Sequence, residues 1–288
     1  MLPFHKILFP IDLSDQCRAI APFVRQTVEK FNADLILIHA IDAVPLVMTS
    51  VEPSAVTPLP DFVRIRSLQE ERVNQFTREM FPDLKPTVLI EDGEAGRVVR
   101  DAIRHQGADL VMMPTHGHGV FRRLLLGSVT AKILHDVDCA IWTDVHHAES
   151  RPLASYRRVL AALSLDTEET GAVLRAAAFV ARAYEADLQL VHVAETPPSA
   201  WEVDYAPYRK AMMDSADEQM RRLRIEAGLQ APYQILDGRP AEEVRRVALE
   251  WQADLIVTGR GHAQDGLGRA WSQLFPIIRE APCPVLSI

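Results

Sequence analysis

The chain contains little cysteine. Only three cysteines occur in 288 residues, and Cys17, Cys139 and Cys283 lie far apart. They form no Cys-x-x-Cys pair, and an odd number of cysteines is a poor basis for a disulfide framework. This usage is typical of small buried thiols in a reducing compartment.

Long apolar runs are also absent from the sequence. No stretch approaches the roughly 18 apolar residues that a membrane helix needs. The apolar start of the chain is interrupted by Asp12, too early for a signal peptide. We therefore expect a cytoplasmic protein that does not bind membranes.

The sequence has no excess of basic residues. Lys and Arg number 31 against 39 Asp and Glu, which gives a formal net charge of −8. Because neither half is basic, bulk electrostatics do not favour binding to nucleic acid or to an anionic membrane. A site for a small anion such as phosphate stays open, because it needs only local donors.

Motifs for covalent chemistry are missing as well. The sequence has no Gly-x-Ser-x-Gly elbow, no Walker loop and no protein-kinase signature. His116 and His118 lie two residues apart, but a metal site would need a third ligand such as His39. We expect no catalytic group and no metal site from these patterns.

What the sequence does contain is a long internal repeat. ADLILIH at residues 33–39 matches ADLQLVH at residues 186–192, and ILHDVDC at residues 133–139 matches IIREAPC at residues 277–283. Gly93 and Asp109 recur as Gly238 and Asp254. A period this long indicates a duplicated domain. We predict domains at residues 1–146 and 156–288, joined by a linker at residues 147–155.

Short apolar runs alternate with helical spacing in each half. The predicted strands of the first half are residues 6–11, 35–41, 86–91, 110–113 and 139–143. Such runs are typical of parallel strands buried on both faces. The fold class is therefore α/β, with two tandem, doubly wound, open parallel sheets of five strands each. The fifth strand of each half is a candidate for the contact between the halves.

Polar residues and glycines follow the first, second and fourth strands. Ligands of open parallel sheets bind beyond the carboxyl ends of the strands. Asp12 follows the first strand, and Gly127-Ser128 precedes a predicted helix, whose N-terminus suits a phosphate. The alternative is structural: Gly117 and Gly119 are turn glycines, and Ser128 is an N-cap.

The whole arrangement resembles the universal stress protein family in a tandem, two-domain form. The resemblance is carried by residues 7–14, by residues 37–42, by residues 113–117 and by Gly127-Ser128-Val129. Nucleotide-binding members of that family have Gly, two residues, Gly, nine residues, then Gly and Ser or Thr. Gly117, the nine-residue gap, Gly127 and Ser128 fit this pattern, whereas Pro114 replaces the first glycine.

The resemblance implies a Rossmann-like fold of the adenine nucleotide alpha hydrolase type and an ATP site, with or without Mg²⁺. Asp12 would then receive the adenine or ribose end, and the backbone of Ile41 would meet the adenine edge. The implied site residues are Asp12, Ile41, Met113, His116, Gly117, Gly127, Ser128 and Val129.

The second half departs from this pattern. Ser164 aligns with Asp12, His262 takes the place of Gly117, and Trp271 aligns with Gly127. A tryptophan at a position of close approach should obstruct a phosphate. We therefore expect that the second half does not bind ATP in the family's manner.

Three functions remain in competition. The first is a nucleotide-binding stress-response protein, in which ATP is a regulatory or stabilising ligand rather than a substrate. The second is an enzyme, either a slow Mg-dependent ATPase or a nucleotidyl transferase. The third is a nucleotide-free scaffold that binds a protein partner. Self-association, or an intramolecular pseudo-dimer of the two halves, is expected in the first case.

Overall fold

The protein consists of two compact units. The computed structural model describes residues 3–42, 62–115, 126–144, 156–165, 169–195, 206–260 and 269–288. Residues 3–139 form unit 1 and residues 140–288 form unit 2. The predicted linker, residues 147–155, lies outside the described residues, so the predicted domain bounds stay a prediction.

Unit 1 alternates strands and helices. Its described elements are β1 (Lys6–Pro10), α1 (Asp15–Phe31), β2 (Asp34–Ile41), α2 (Phe62–Met80), β3 (Thr87–Asp92), α3 (Ala95–Gln106), β4 (Leu110–Pro114) and α4 (Ser128–Asp136). The strand order is β3-β2-β1-β4, and all pairs are parallel. Because parallel crossovers are right-handed, the reversal of direction after β3 places α1 and α2 on one face and α3 and α4 on the other. Contacts of α1 with α2 and of α3 with α4 agree.

Unit 2 has the same alternation after one extra strand. Its described elements are β5 (Ala140–Asp144), β6 (Arg158–Ala162), α5 (Thr170–Tyr184), β7 (Asp187–Glu195), α6 (Ala206–Glu226), β8 (Tyr233–Gly238), α7 (Pro240–Glu250), β9 (Leu255–Thr258), α8 (Arg269–Glu280) and β10 (Val285–Ser287). The strand order is β5-β10-β9-β6-β7-β8. All pairs from β10 to β8 are parallel, and β5 runs antiparallel to β10.

The predicted α/β class with parallel sheets is confirmed, and the five strands predicted for the first half begin and end within one residue of β1 to β5. The strand β5 ends the first repeat in sequence but belongs to unit 2. There Trp142 lies opposite Leu286, and the Thr143 hydroxyl donates to the Val285 carbonyl over 3.2 Å. The fifth strands of the two repeats therefore do pair with each other.

The core of unit 1 is built where strand residues meet α2. Phe9 on β1 is fully buried, and its ring centroid lies 6.5 Å from that of Phe76 and 6.2 Å from that of Phe81. Val73 and Phe76 are the buried residues of α2. This cluster attaches α2 to the sheet, although most of the helix is exposed.

The repeated residues serve the same structural purpose in both units. The Asp109 carboxylate accepts the backbone N–H groups of His5 and Lys6 at 2.9 and 3.1 Å, before β1 and at its first residue. Asp254 does the same for the two residues at the start of β6. Gly93 and Gly238 both have a φ of +139°, which side-chain-bearing residues rarely adopt. The duplication thus preserves the contacts that start and end strands.

Candidate functional site

The carboxyl ends of the strands of unit 1 meet at one edge of its sheet. The chain passes from β1 to β2 on one side, while β4 lies on the other side of β1. Open α/β sheets bind ligands at such a reversal of strand order, beyond the carboxyl ends of the strands. Asp12 follows β1 at this point, and α4 begins after β4 at the same edge.

A tight turn orients Asp12. Leu13 has a φ of +63°, in the left-handed region that is uncommon for residues other than glycine. The Ser14 N–H donates to Asp12 Oδ1 over 2.9 Å, and the Cys17 thiol donates to the same oxygen over 3.0 Å. The Ser14 hydroxyl in turn accepts the Cys17 N–H and caps α1. The Asp12 carboxylate therefore has a fixed direction beyond β1.

The end of β2 is tied to both neighbouring strands. His39 Nδ1 lies 2.8 Å from the carbonyl oxygen of Ile11, one residue before Asp12. The Ile41 carbonyl accepts the Gly93 N–H over 3.0 Å, and the Ile41 side chain is buried. Ile41 thus contributes backbone rather than side chain to this edge.

The end of β4 is joined directly to the start of α4. The Gly127 N–H donates to the Thr115 carbonyl over 2.9 Å, and the buried Thr130 hydroxyl donates to the Pro114 carbonyl over 3.2 Å. Met113, on β4, is buried at 4% exposure. These two bonds fix the N-terminus of α4 at the edge.

The structure corrects the alternative assignment of Ser128 as an N-cap. Gly127 is the N-cap of α4, with φ −59° and ψ 144°, and Ser128 is the first helical residue. Glycine has no side chain with which to cap the helix, and the first N–H groups of a helix have no acceptor within it. The Ser128 side chain is exposed and Val129 is half-buried. This helix start is suited to an external anion.

The neighbouring helix α3 differs in this respect. The Glu94 carboxylate caps α3 by accepting the Gly96 and Arg97 N–H groups, each over 2.9 Å. Glu94 also pairs with Lys132 of α4 over 2.7 Å, and this hydrogen bond lowers the pKa of Glu94. Lys132 follows Ser128 by four residues, so it lies on the same face of α4.

Two of the expected site residues, His116 and Gly117, lie outside the described residues, as does His118. The other six lie at or near the ends of β1, β2 and β4 or at the start of α4. Within the described ranges, no three His, Cys, Asp or Glu side chains come together as a metal-binding group.

The corresponding edge of unit 2 is built differently. His192 Nδ1 lies 2.8 Å from the Leu163 carbonyl, which repeats the contact of His39 with Ile11, so the two histidines have the same structural role. Ser164 stands in place of Asp12, and its carbonyl accepts a hydrogen bond from the Thr170 hydroxyl. A Cβ atom added at Gly259, after β9, would lie 2.9 Å from a Glu169 carboxylate oxygen. The Glu169 carboxylate thus lies against the end of β9.

The last helix of unit 2 also lacks the geometry of α4. Helix α8 begins at Arg269, so Trp271 and Ser272 lie inside its first turns. Their counterparts in unit 1, Gly127 and Ser128, are the N-cap and the first helical residue. Ser272 is thus the fourth helical residue, whereas Ser128 is the first, so the two aligned serines do not stand at equivalent positions of their helices.

The fold is that of a tandem α/β protein, and at this edge of unit 1 the N-cap of α4 makes no side-chain hydrogen bond. Two segments, residues 3–143 and 155–288, match the model of the universal stress protein family. The chain belongs to this family. None of the helices within the described ranges is both long and apolar enough to cross a membrane.

Individual relatives support the same assignment. A universal stress protein of Thermus aquaticus, from the QAH/OAS sulfhydrylase 3′ region, is 36% identical over 116 residues, which cover 38% of this chain and 81% of the relative. The universal stress protein MJ0531 of Methanocaldococcus jannaschii is 26% identical over 145 residues, covering 48% of this chain and 80% of the relative. The fold is similar to the crystal structure of a universal stress protein from Archaeoglobus fulgidus, with a TM-score of 0.69 at 18% identity. This match covers 98% of this chain and 95% of the Archaeoglobus chain.

Three contributors to this edge were not singled out from the sequence. Cys17 was assigned only as a small buried thiol, and its contact with Asp12 depends on where α1 begins. Thr130 lies two residues after Ser128, and a hydroxyl inside a helix start is a weak signal. Leu13 has a left-handed backbone that nothing in its side chain indicates.

Proposed function

We propose that unit 1 binds an adenine nucleotide, ATP with or without Mg²⁺, and that unit 2 does not. The protein would use this nucleotide as a regulatory or stabilising ligand in the response to stress. The observation that carries the proposal is the start of α4, where a glycine N-cap leaves backbone N–H groups available at the switch point of the sheet. Membership of the universal stress protein family supports the biological setting.

The described residues fit the parts of such a ligand. The N–H groups at Ser128 and Val129 and the exposed Ser128 hydroxyl are donors for phosphate oxygens. Asp12, held by Ser14 and Cys17, is an acceptor for a ribose hydroxyl or an exocyclic amine. The backbone at Ile41 would meet the base, and Met113 would line the ribose. The proposed site also includes His116 and Gly117.

A ligand of this kind acts on the protein by mass action. Binding to the folded state alone raises the free energy of unfolding by about 2.7 kcal/mol at a free concentration of 100 times Kd. Because α4 is joined to β4 by two hydrogen bonds, phosphate binding at Ser128 would stabilise both elements. A nucleotide can therefore favour one conformation without being consumed. A cytoplasmic location, where ATP is available, is part of the proposal.

The test is calorimetric titration of the full-length protein with Mg-ATP. We expect about one nucleotide per chain, and no binding to Gly127→Trp, whose ring would cover the helix start. A matched control is Arg239→Trp, because Arg239 is also a helix N-cap, in unit 2, with an exposed side chain.

The outcomes separate the competing functions. Loss of binding in Gly127→Trp but not in Arg239→Trp supports the site in unit 1. Absence of binding to the wild type would overturn the proposal and favour the nucleotide-free scaffold. Phosphate release from Mg-ATP that is abolished by Gly127→Trp would favour the slow enzyme.

A further inference from the structure

Cys17 forms a hydrogen bond with Asp12, one of the residues of the proposed site. The residue lies in the first turn of α1 and is 1% exposed. Its Sγ atom lies 3.0 Å from Asp12 Oδ1 and 3.8 Å from the Pro10 carbonyl oxygen. Both are within hydrogen-bond reach for sulfur, and the carboxylate contact is the shorter one.

The thiol is a donor in this contact. Burial, together with the negative charge of Asp12, raises the pKa of the Cys17 thiol, which therefore stays protonated around neutral pH. The S–H group and the Ser14 N–H thus both point at Oδ1. Two donors on one oxygen fix the plane of the carboxylate more firmly than one donor would.

Unit 2 provides an internal comparison. Counting back from the repeated helix ends, Phe31 and Tyr184, Thr170 takes the position of Cys17. The Thr170 hydroxyl donates to the backbone carbonyl of Ser164, the residue that aligns with Asp12 and has no carboxylate of its own. Both residues of the pair thus differ between the units, so the thiol occurs where there is a carboxylate to hold.

We infer that Cys17 is a positioning residue of the nucleotide site in unit 1, which holds the Asp12 carboxylate in the direction that receives the ligand. This inference rests on the proposed function, because Asp12 is the group that would touch the nucleotide. Cys17 itself is buried and acts only through Asp12.

The affinity test uses three variants of the full-length protein. Cys17→Ala removes the donor, and the loss of one net hydrogen bond predicts an increase in Kd for Mg-ATP of about three- to tenfold. Cys17→Ser keeps a donor and should stay within about twofold of the wild type. Cys283→Ala is the control, because Cys283 is fully buried but lies in unit 2.

A second arm separates positioning from packing. In an Asp12→Ala background, Cys17→Ala should no longer change the affinity, because no side-chain acceptor is left at position 12. An equal loss in both backgrounds would overturn the inference, and so would failure of Cys17→Ser to restore binding.

The bond can also be read without a ligand. The S–H stretching band of Cys17, identified by its loss in Cys17→Ser, should shift to higher frequency in Asp12→Ala, because the thiol loses its acceptor. An unchanged band would overturn the inference whatever the nucleotide does. Absence of Mg-ATP binding to the wild type, with the band shifting as expected, would instead overturn the proposed function and leave the Cys17–Asp12 bond intact.

Discussion

Replacing Gly127 by aspartate should make the protein more stable and its nucleotide affinity weaker. Gly127 has φ −59° and ψ 144°, a conformation that any residue adopts, so the substitution introduces no backbone strain. As N-cap of α4, the new carboxylate would accept an N–H bond from the first turn. The same carboxylate would occupy the position proposed for a phosphate.

The two effects have different magnitudes. An aspartate N-cap improves on glycine by a few tenths of a kcal/mol, and its charge at the helix N-terminus adds about 0.3–1 kcal/mol. Repulsion between this charge and a phosphate about 4 Å away costs about 1 kcal/mol in water and about 4 kcal/mol at a protein surface. We therefore expect Kd for ATP to rise by about five- to several-hundredfold.

The matched control is Gly127→Asn, which has the same size and also caps the helix but carries no charge. Both variants are compared with the wild type by urea unfolding and by calorimetric titration with Mg-ATP. The Gly127→Asp variant should unfold at a higher urea concentration than the wild type. It should also bind Mg-ATP more weakly than the Gly127→Asn variant. Equal affinities of the Asp and Asn variants would refute the reasoning, because phosphate would then not lie at the start of α4.

Three further predictions concern the framework of the two units. Gly93→Ala and Gly238→Ala should each lower the free energy of unfolding by about 1–3 kcal/mol in urea, because both have a φ of +139°; a negligible loss in either would contradict the strain argument. Arg209→Ala should lower the free energy of unfolding by no more than about 1 kcal/mol, since the Arg209 side chain in the pair with Asp237 is more than half exposed. Arg209 lowers the pKa of Asp237, so this cost should be present at pH 7 and vanish well below pH 3.8, and a pH-independent cost would contradict it. Thr130→Val should lower the free energy of unfolding by about 1–3 kcal/mol, because the Pro114 carbonyl at the end of β4 loses its buried donor. The substitution should also weaken ATP binding. An unchanged affinity would show that this bond does not position α4.

Local pattern was sufficient to predict most of the fold. Strand β1 is a run of apolar residues between polar ones, and its bounds differ by one residue from those predicted. The duplication was recognisable because Asp109 and Gly93 recur as Asp254 and Gly238. In both units the aspartate accepts backbone N–H groups at the start of a strand, and the glycine has a backbone conformation that other residues rarely adopt.

Non-local pairing was harder to predict in detail. The antiparallel register between β5 and β10 joins segments about 140 residues apart, and neither short strand carries a turn signal that specifies it. The fifth strands were expected to meet, but the sequence did not indicate that β5 belongs to unit 2.

The candidate site was predicted by residue type more than by geometry. Asp12 and Gly127 were identifiable because their positions follow from strand ends and from the family pattern. Cys17 was not, because its role depends on a φ of +63° at Leu13 that brings the carboxylate back toward α1. In unit 2, Glu169 lies against Gly259, and a glycine alone does not indicate which side chain will approach it.

The central claim is that one of two duplicated units binds the nucleotide. A crystal structure of the full-length protein with a non-hydrolysable ATP analogue and Mg²⁺ tests it most directly. We predict one analogue per chain, with phosphate oxygens within hydrogen-bond distance of the N–H groups of Ser128 and Val129 and with the base or ribose at Asp12. An analogue bound in unit 2, or in unit 1 away from the start of α4, would contradict the account.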